Sequence, residues 1–139
     1  MAILLCGFCE RDIYMTENEI AHKIIGIALE IHKKLGPGLL ESVYENILEY
    51  DLKEAGLKID TQVPIPLVYK EIKMDAGFRL DLLIENKVIV EIKSIETLAP
   101  VHFAQTLTYL KLSNLKLALL INFNTAKLKD GIHRIVNNL

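Results

Sequence analysis

The sequence predicts an α/β protein of the α+β type, in which two helices precede three strands, a third helix and a fourth strand. Apolar residues recur every three or four positions in the first part of the chain and again after residue 100, which is the spacing of one helix face. Short segments rich in Val, Ile and Leu lie between and after these helices and are typical of strands. The chain has 139 residues and neither an internal repeat nor a linker, so we expect one domain at 16–139 after an N-terminal extension at 1–15.

The charge balance limits the kinds of partner that the protein can have. Sixteen Lys and Arg residues against eighteen Asp and Glu residues give a formal net charge of −2, which excludes histone-like neutralisation of many phosphates. Any contact with nucleic acid is therefore expected to use a local patch. The longest apolar stretches are too short to cross a bilayer, and the first basic residue is Arg11. We therefore expect no membrane span and no secretory signal, and a cytoplasmic location.

The first helix has a marked start. Thr16 followed by Glu19 forms a capping box, and the helix is predicted from Glu17 to Lys34. Because the fold starts here, Met15 is an alternative to Met1 as the start of translation. The preceding extension holds both cysteines in a single C-x-x-C, which we interpret as incidental thiols because a redox motif should open a helix after a strand.

Gly and Pro residues separate the two helices. Gly36, Pro37 and Gly38 end the first helix, since Pro cannot continue it and Gly accepts the left-handed cap conformation. The second helix is predicted from Leu39 to Ala55, and Gly56 stands at the position of a C-terminal cap.

Three strands are predicted next. The segment Lys58–Tyr69 contains Pro64 and Pro66, which suit a bent edge strand because Pro has no N–H to donate. The segments Phe78–Ile84 and Val88–Lys93 are short and apolar, and the three residues between them predict a β-hairpin.

One helix and one strand complete the predicted order. Pro100 suits the first turn of a helix that runs to Leu112, and the apolar segment Lys116–Ile121 predicts a buried strand. The tail at 128–139 has Asp130 and Gly131 between apolar residues, which leaves a strand and a short helix as open alternatives.

The triplet Glu-Ile-Lys occurs twice, and its context separates the two copies. Glu71 stands in a polar stretch that predicts a solvated turn. Glu91 follows three apolar residues of a predicted strand, where a carboxylate is costly unless it is paired or binds a cation. Glu91 is therefore the candidate for chemistry.

The register of the hairpin decides whether two acids meet. A three-residue loop places Asp81 opposite Glu91, whereas a two-residue loop would oppose Asp81 to Ile92 and put Glu91 on the other face. Two opposed carboxylates either share a proton or bind a divalent cation such as Mg²⁺. Lys93 shares a strand face with Glu91 and could orient a water, although a surface salt bridge between Lys93 and either acid is the alternative.

These residues resemble a known signature. Asp81 followed by Glu91-Ile92-Lys93 is similar to the motif of the PD-(D/E)XK nuclease superfamily, with Leu80 in place of the usual Pro. The stretch from Gly38 to Tyr44 resembles the G-x-x-E-x-x-Y motif of one family within it. The resemblance implies a restriction-endonuclease-like α-β-β-β-α-β core, with a mixed central sheet flanked by helices and an extra N-terminal helix.

The resemblance also implies a set of site residues. Glu41 is the helix acid at the motif position, and it shares a helix face with Tyr44 and Glu45 by spacing. Gln105 and Tyr109 form a Q-x-x-x-Y pair similar to one on the helix after the lysine strand of some superfamily nucleases. The implied metal ligands are Glu41, Asp81 and Glu91, the catalytic residues are Asp81, Glu91, Lys93 and Gln105, and the residues on the substrate side are Tyr44 and Tyr109.

The resulting hypothesis is a metal-dependent nuclease that uses Mg²⁺, with Mn²⁺ as an alternative ion, and acts on DNA, with RNA as the alternative substrate. The competing hypothesis is a catalytically inactive protein of the same fold that binds nucleic acid or protein as a subunit. The apolar composition also predicts a homodimer or a larger complex.

Overall fold

The computed structural model describes residues 15–139, except the side chains of Asp75 and Ala76. The predictions on residues 1–14, including the two thiols, lie outside this part. Its elements in chain order are α1 (Glu17–Leu35), α2 (Glu41–Glu54), β1 (Ile59–Tyr69), β2 (Ile72–Ile84), β3 (Val88–Lys93), α3 (Pro100–Ser113), β4 (Leu117–Asn122), a 3₁₀ turn (Leu128–Gly131) and β5 (Ile132–Val136). This order confirms the predicted α+β class.

The described strands form one mixed sheet in the order β1-β2-β3-β4-β5. Strands β3 and β4 are parallel, and the other neighbours are antiparallel. Strand β1 lies at an edge, as its two prolines predicted. On the outer side of an edge strand a missing N–H leaves no carbonyl group of a neighbouring strand without a partner. The tail contains both of the elements that the sequence left open, since a 3₁₀ turn leads into β5 at the opposite edge.

The first two helices begin and end close to the predicted residues. The Thr16 side chain accepts a hydrogen bond from the N–H of Glu19 at 3.1 Å, which confirms Thr16 as the N-cap and shows one of the two hydrogen bonds of the predicted capping box. Helix α2 begins at Glu41, two residues later than predicted, because Leu39 and Leu40 belong to the loop and Leu40 keeps extended backbone angles. None of the described helices combines the length and apolarity that a bilayer span requires.

The sheet separates two apolar layers. Helices α1 and α2 cover one face, where Leu82, Val90 and Ile92 lie fully or almost fully buried. Helix α3 covers the other face, where Tyr109 and Leu110 pack against neighbours from β2, β3 and β4. The ends of β2 and β3 therefore lie between helices on both sides.

Four polar or charged side chains are buried among the described residues. His32, Thr106 and Asn122 each hydrogen-bond to a backbone carbonyl group. The fourth is Glu91, whose Oε1 atom has no partner in residues 15–139. A buried polar atom without a partner destabilises the fold, so the contribution of Glu91 to stability does not explain why a glutamate stands at this position.

Strand β2 is longer than predicted. It begins at Ile72, so the polar stretch forms the end of a long hairpin, and Glu71 lies exposed in a two-residue turn as expected. The pairing shifts register near Gly77, where an added Cβ would lie 2.9 Å from the carbonyl oxygen of Ile65. Glycine at this position permits the close approach of β1 and β2.

Candidate active site

Strands β2 and β3 separate at the residues that the sequence singled out. Their ladder runs from Ile84–Val88 to Leu82–Val90, which confirms the three-residue loop. At the next position of β2 the side chain of Asp81 lies between the two strands, and its Oδ2 accepts a hydrogen bond from the N–H of Ile92 at 2.9 Å. Asp81 therefore replaces a strand carbonyl as the partner of β3.

Glu91 lies beside Asp81 in this opening and is only 5% exposed. Burial raises the pKa of Glu91 to about 9, and the negative charge of Asp81 and a side-chain hydrogen bond to Asp81 act in the same direction. The neutral acid of Glu91 thus donates to the Asp81 carboxylate. A proton shared between the two acids is one of the two predicted outcomes of their approach, and the raised pKa of Glu91 is the direction that such sharing requires.

Lys93 follows Glu91 on the same strand and is half-buried. Its positive charge opposes the rise in the pKa of Glu91, but this effect is smaller than those of burial and of Asp81. Within the part of the chain that the structure describes, Lys93 forms no ion pair. The described residues therefore show an electrostatic effect of Lys93 on Glu91 without the close salt bridge that was the alternative.

Helix α2 supplies further carboxylates from the first face of the sheet. A cleft of about 200 Å³ is lined by Asp81 and by two acids of this helix, Glu41 and Glu45. Glu41 is exposed, and its Oε1 accepts a hydrogen bond from the N–H of Ser94 at 3.2 Å. Glu41 thus faces the end of β3, where the motif position placed it.

Glu45 also lines this acidic cleft, although it was not predicted as a site residue. Partial burial raises the pKa of Glu45, a hydrogen bond from Gln62 at 2.8 Å opposes the rise, and the charge of Asp81 adds to it. The spacing of four residues from Glu41 was the signal for Glu45. No local signal exists for Gln62, because it reaches the cleft from β1.

The substrate role predicted for Tyr44 is wrong. Its side chain is fully buried, and its ring stacks on Phe123 with the ring centres 4.4 Å apart. The hydroxyl donates to the carbonyl oxygen of Gly36 at 2.5 Å and accepts from the N–H of Leu39 at 3.2 Å. Tyr44 fixes the loop between α1 and α2, because a tyrosine at this helix position points into the core and not along the acidic face.

Gln105 and Tyr109 adjoin the carboxylates from helix α3. The ring of Tyr109 is buried and packs at a tilt against Phe78, with the ring centres 5.3 Å apart. Burial raises the pKa of Tyr109, the charges of Glu91 and Asp81 add to this effect, and a hydrogen bond with exposed Gln105 opposes it. The structure therefore joins the Q-x-x-x-Y residues to each other and places Tyr109 near the two acids.

The donor set of this site suits a hard divalent cation. Every candidate ligand is a carboxylate, and Mg²⁺ binds through one or two carboxylates while keeping several waters. In residues 15–139 no three His, Cys, Asp or Glu side chains already form a metal-binding group. Asp81 and Glu91 form a pair, and the unpartnered Oε1 of Glu91 supplies the atom that an ion would contact. The pair fits an ion completed by water.

The comparison with protein families agrees with this geometry. A model of the PD-(D/E)XK nuclease superfamily matches residues 18–135, which include Asp81, Glu91 and Lys93. Comparisons with curated proteins and with solved structures give no match. The match spans most of the chain, and the mixed sheet between helices is consistent with a restriction-endonuclease-like fold. The chain therefore belongs to the PD-(D/E)XK nuclease superfamily.

Proposed function

We propose that this protein is a metal-dependent nuclease that hydrolyses phosphodiester bonds and acts on DNA in preference to RNA. The observation that carries the proposal is the pair of half-buried Asp81 and buried Glu91, in which Oε1 of Glu91 has no hydrogen-bond partner in the described residues. A buried carboxyl group destabilises a fold unless a partner offsets its loss of hydration. Binding of a cation gives both acids a partner.

Asp81 and Glu91 would hold Mg²⁺ or Mn²⁺. Glu41 would lose its hydrogen bond from the N–H of Ser94 and turn its carboxylate toward the ion. When bound, the ion would neutralise charge on the scissile phosphate and lower the pKa of a coordinated water. Glu45 lies in the same cleft and is hydrogen-bonded to Gln62, so its role is to keep the cleft acidic and ordered.

Lys93 is the cation that the chain itself provides. Because it makes no ion pair in residues 15–139, its ammonium group can donate to the attacking water and to a phosphate oxygen. In the reaction the water oxygen forms a bond to phosphorus while the ester P–O bond breaks. The water loses a proton to solvent or a neighbouring base, and the leaving oxygen takes one up.

Membership of the G-x-x-E-x-x-Y family forms part of the proposal, and the structure supports it through a local arrangement. Gly38 has a φ of +98°, Glu41 accepts from the N–H of Ser94, and Tyr44 binds the same loop. The three motif residues therefore act together to set the loop beside the end of β3.

Cleavage of plasmid DNA, single-stranded DNA and RNA tests the function. We expect the native protein and a control variant at an exposed lysine of the 3₁₀ turn, Lys129→Ala, to cut DNA in Mg²⁺ but not in chelator. Asp81→Asn and Lys93→Ala should not cut. Failure of the native protein to cut any of the three substrates in Mg²⁺ or Mn²⁺ would contradict the proposal, and binding without cleavage would favour a binding subunit.

A further inference from the structure

A second cleft continues from the acidic cleft past the start of helix α2. It has a volume of about 600 Å³, and Glu41 and Ser42 line both clefts. We propose that this second cleft is a nucleotide subsite, which takes the base and sugar of the nucleotide next to the scissile phosphate in a single-stranded or locally opened substrate. The inference rests on the proposed nuclease function and names its substrate class.

The lining of the second cleft suits an uncharged ligand with apolar and polar parts. No Lys or Arg is among its lining residues, and Glu41 at its border repels a phosphate. Leu40 is 72% exposed and offers an apolar contact surface. The side chains of Ser42 and Asn124 have no hydrogen-bond partner in the described chain, so a hydroxyl and an amide remain for a ligand. A nucleobase with its sugar has this chemistry.

The walls of the second cleft are fixed before a ligand arrives. The hydroxyl of Ser94 donates to the carbonyl oxygen of Leu39 at 2.5 Å, and Tyr44 holds the same loop through two hydrogen bonds. Ser94 follows Lys93 directly, so the loop and the proposed catalytic strand are joined. A pre-formed cleft loses little conformational entropy on binding.

The geometry of nucleic acid decides which substrate can use such a cleft. A base stacked inside a duplex cannot enter a pocket beside the backbone unless it is unpaired and unstacked. Unpairing and unstacking cost a few kcal/mol in a duplex, and the cost is smallest in a strand that is already single. Because the amide of Asn124 carries both a donor and an acceptor, it can bind a base edge. We therefore expect a preference for single strands and a modest base preference at one position.

Two variants test the subsite without removing an interaction within the protein. Leu40→Ser removes the apolar surface and places a favoured residue at the N-cap of α2, so the fold should persist. Asn124→Ala removes an amide that has no partner in residues 15–139. Leu29→Ser, at an exposed leucine of α1 outside the cleft, is the matched control.

Cleavage kinetics and binding are measured on a single-stranded oligodeoxynucleotide and on the same strand with one abasic nucleotide next to the cleaved bond. We expect each variant to raise KM on the intact strand by about five- to ten-fold with little change in kcat, as for the loss of one contact. On the abasic strand the native protein and the variants should have equal KM. Equal KM for native protein and variants on the intact strand would overturn the subsite and leave the nuclease function standing.

Fluorescence anisotropy in chelator gives a second readout that does not need cleavage. The native protein should bind the intact strand several-fold more tightly than the abasic strand, and Leu40→Ser should abolish this difference. If no strand is cut but this difference appears, the nuclease proposal fails and the subsite remains. If the native protein binds both strands equally, the subsite is refuted whatever the activity.

Discussion

Substitution of Glu91 by Gln should make the protein more stable at mildly alkaline pH. The folded state holds a proton on Glu91 up to a pKa of about 9, whereas an unfolded chain loses this proton near the ordinary value of 4.5. Between these values the folded state binds more protons than the unfolded state, so the free energy of unfolding falls as pH rises. The fall is about 1.4 kcal/mol for each pH unit, or up to about 4 kcal/mol between pH 5 and pH 8.

The variant Glu91→Gln removes the proton without changing the shape of the side chain, and its amide can still donate to Asp81. We therefore expect similar stability of both proteins near pH 5 and a more stable variant near pH 8. Urea unfolding in chelator, followed by circular dichroism across this range, measures the difference. The matched control is Glu71→Gln, which changes the exposed copy of the same triplet and should keep the native pH dependence.

Addition of Mg²⁺ to the same proteins shows whether the acid pair binds a cation or only destabilises the fold. An ion at 100 times its dissociation constant should stabilise the native protein by about 2.7 kcal/mol, and Glu91→Gln much less. A native stability that does not fall between about pH 5 and pH 8 would contradict a protonated Glu91 in the folded state. A loss of stability of Glu91→Gln near pH 8 in chelator would refute it equally.

Four other measurements address neighbouring features of the molecule. Asp81→Asn should raise stability in chelator above about pH 9, where Glu91 is ionised and would otherwise repel Asp81, and it should abolish the rise of Tm with Mg²⁺; a loss of about 1–3 kcal/mol at that pH would instead indicate a structural role of the Asp81 charge. Tyr44→Phe removes two loop hydrogen bonds and should cost about 1–3 kcal/mol in urea unfolding, and an unchanged midpoint would contradict the anchoring role. Binding to DNA in Ca²⁺ should weaken only shallowly with salt, with a slope above about −4 in a plot of log K against log salt, because the chain has a net charge of −2. Association to a homodimer should use the exposed apolar residues Val68, Tyr69 and Ile72 at the end of the β1–β2 hairpin, so sedimentation equilibrium at tens of micromolar should show a dimer that Tyr69→Ser weakens.

The features that the sequence predicted are those with local causes. The N-cap at Thr16 depends on a partner three residues away, and the register of the hairpin follows from the length of its turn. That register brings Asp81 and Glu91 to the same level of the hairpin. The ladder ends at Leu82–Val90, however, and Asp81 reaches between the strands to the N–H of Ile92, which strand alternation did not predict.

The features that the sequence did not predict depend on distant partners. Tyr44 occupies a motif position, but its burial is decided by Phe123, which comes much later in the chain. Gln62 meets Glu45 only because β1 folds back beside α2. Spacing identifies residues on one helix face, but only tertiary packing decides which of them turn toward the core.

Asp81 sets the width of the opening that it lines. Its carboxylate accepts a hydrogen bond from the N–H of Ile92. In a continued ladder this N–H would bond to the backbone of β2. The side chain that would bind an ion therefore also keeps the two strands apart. Alanine at position 81 would remove the charge and also allow the strands to pair further and close the opening. Asparagine keeps an acceptor for Ile92 and removes only the charge, so the difference in the free energy of unfolding between Asp81→Ala and Asp81→Asn in chelator measures what this hydrogen bond between the strands contributes.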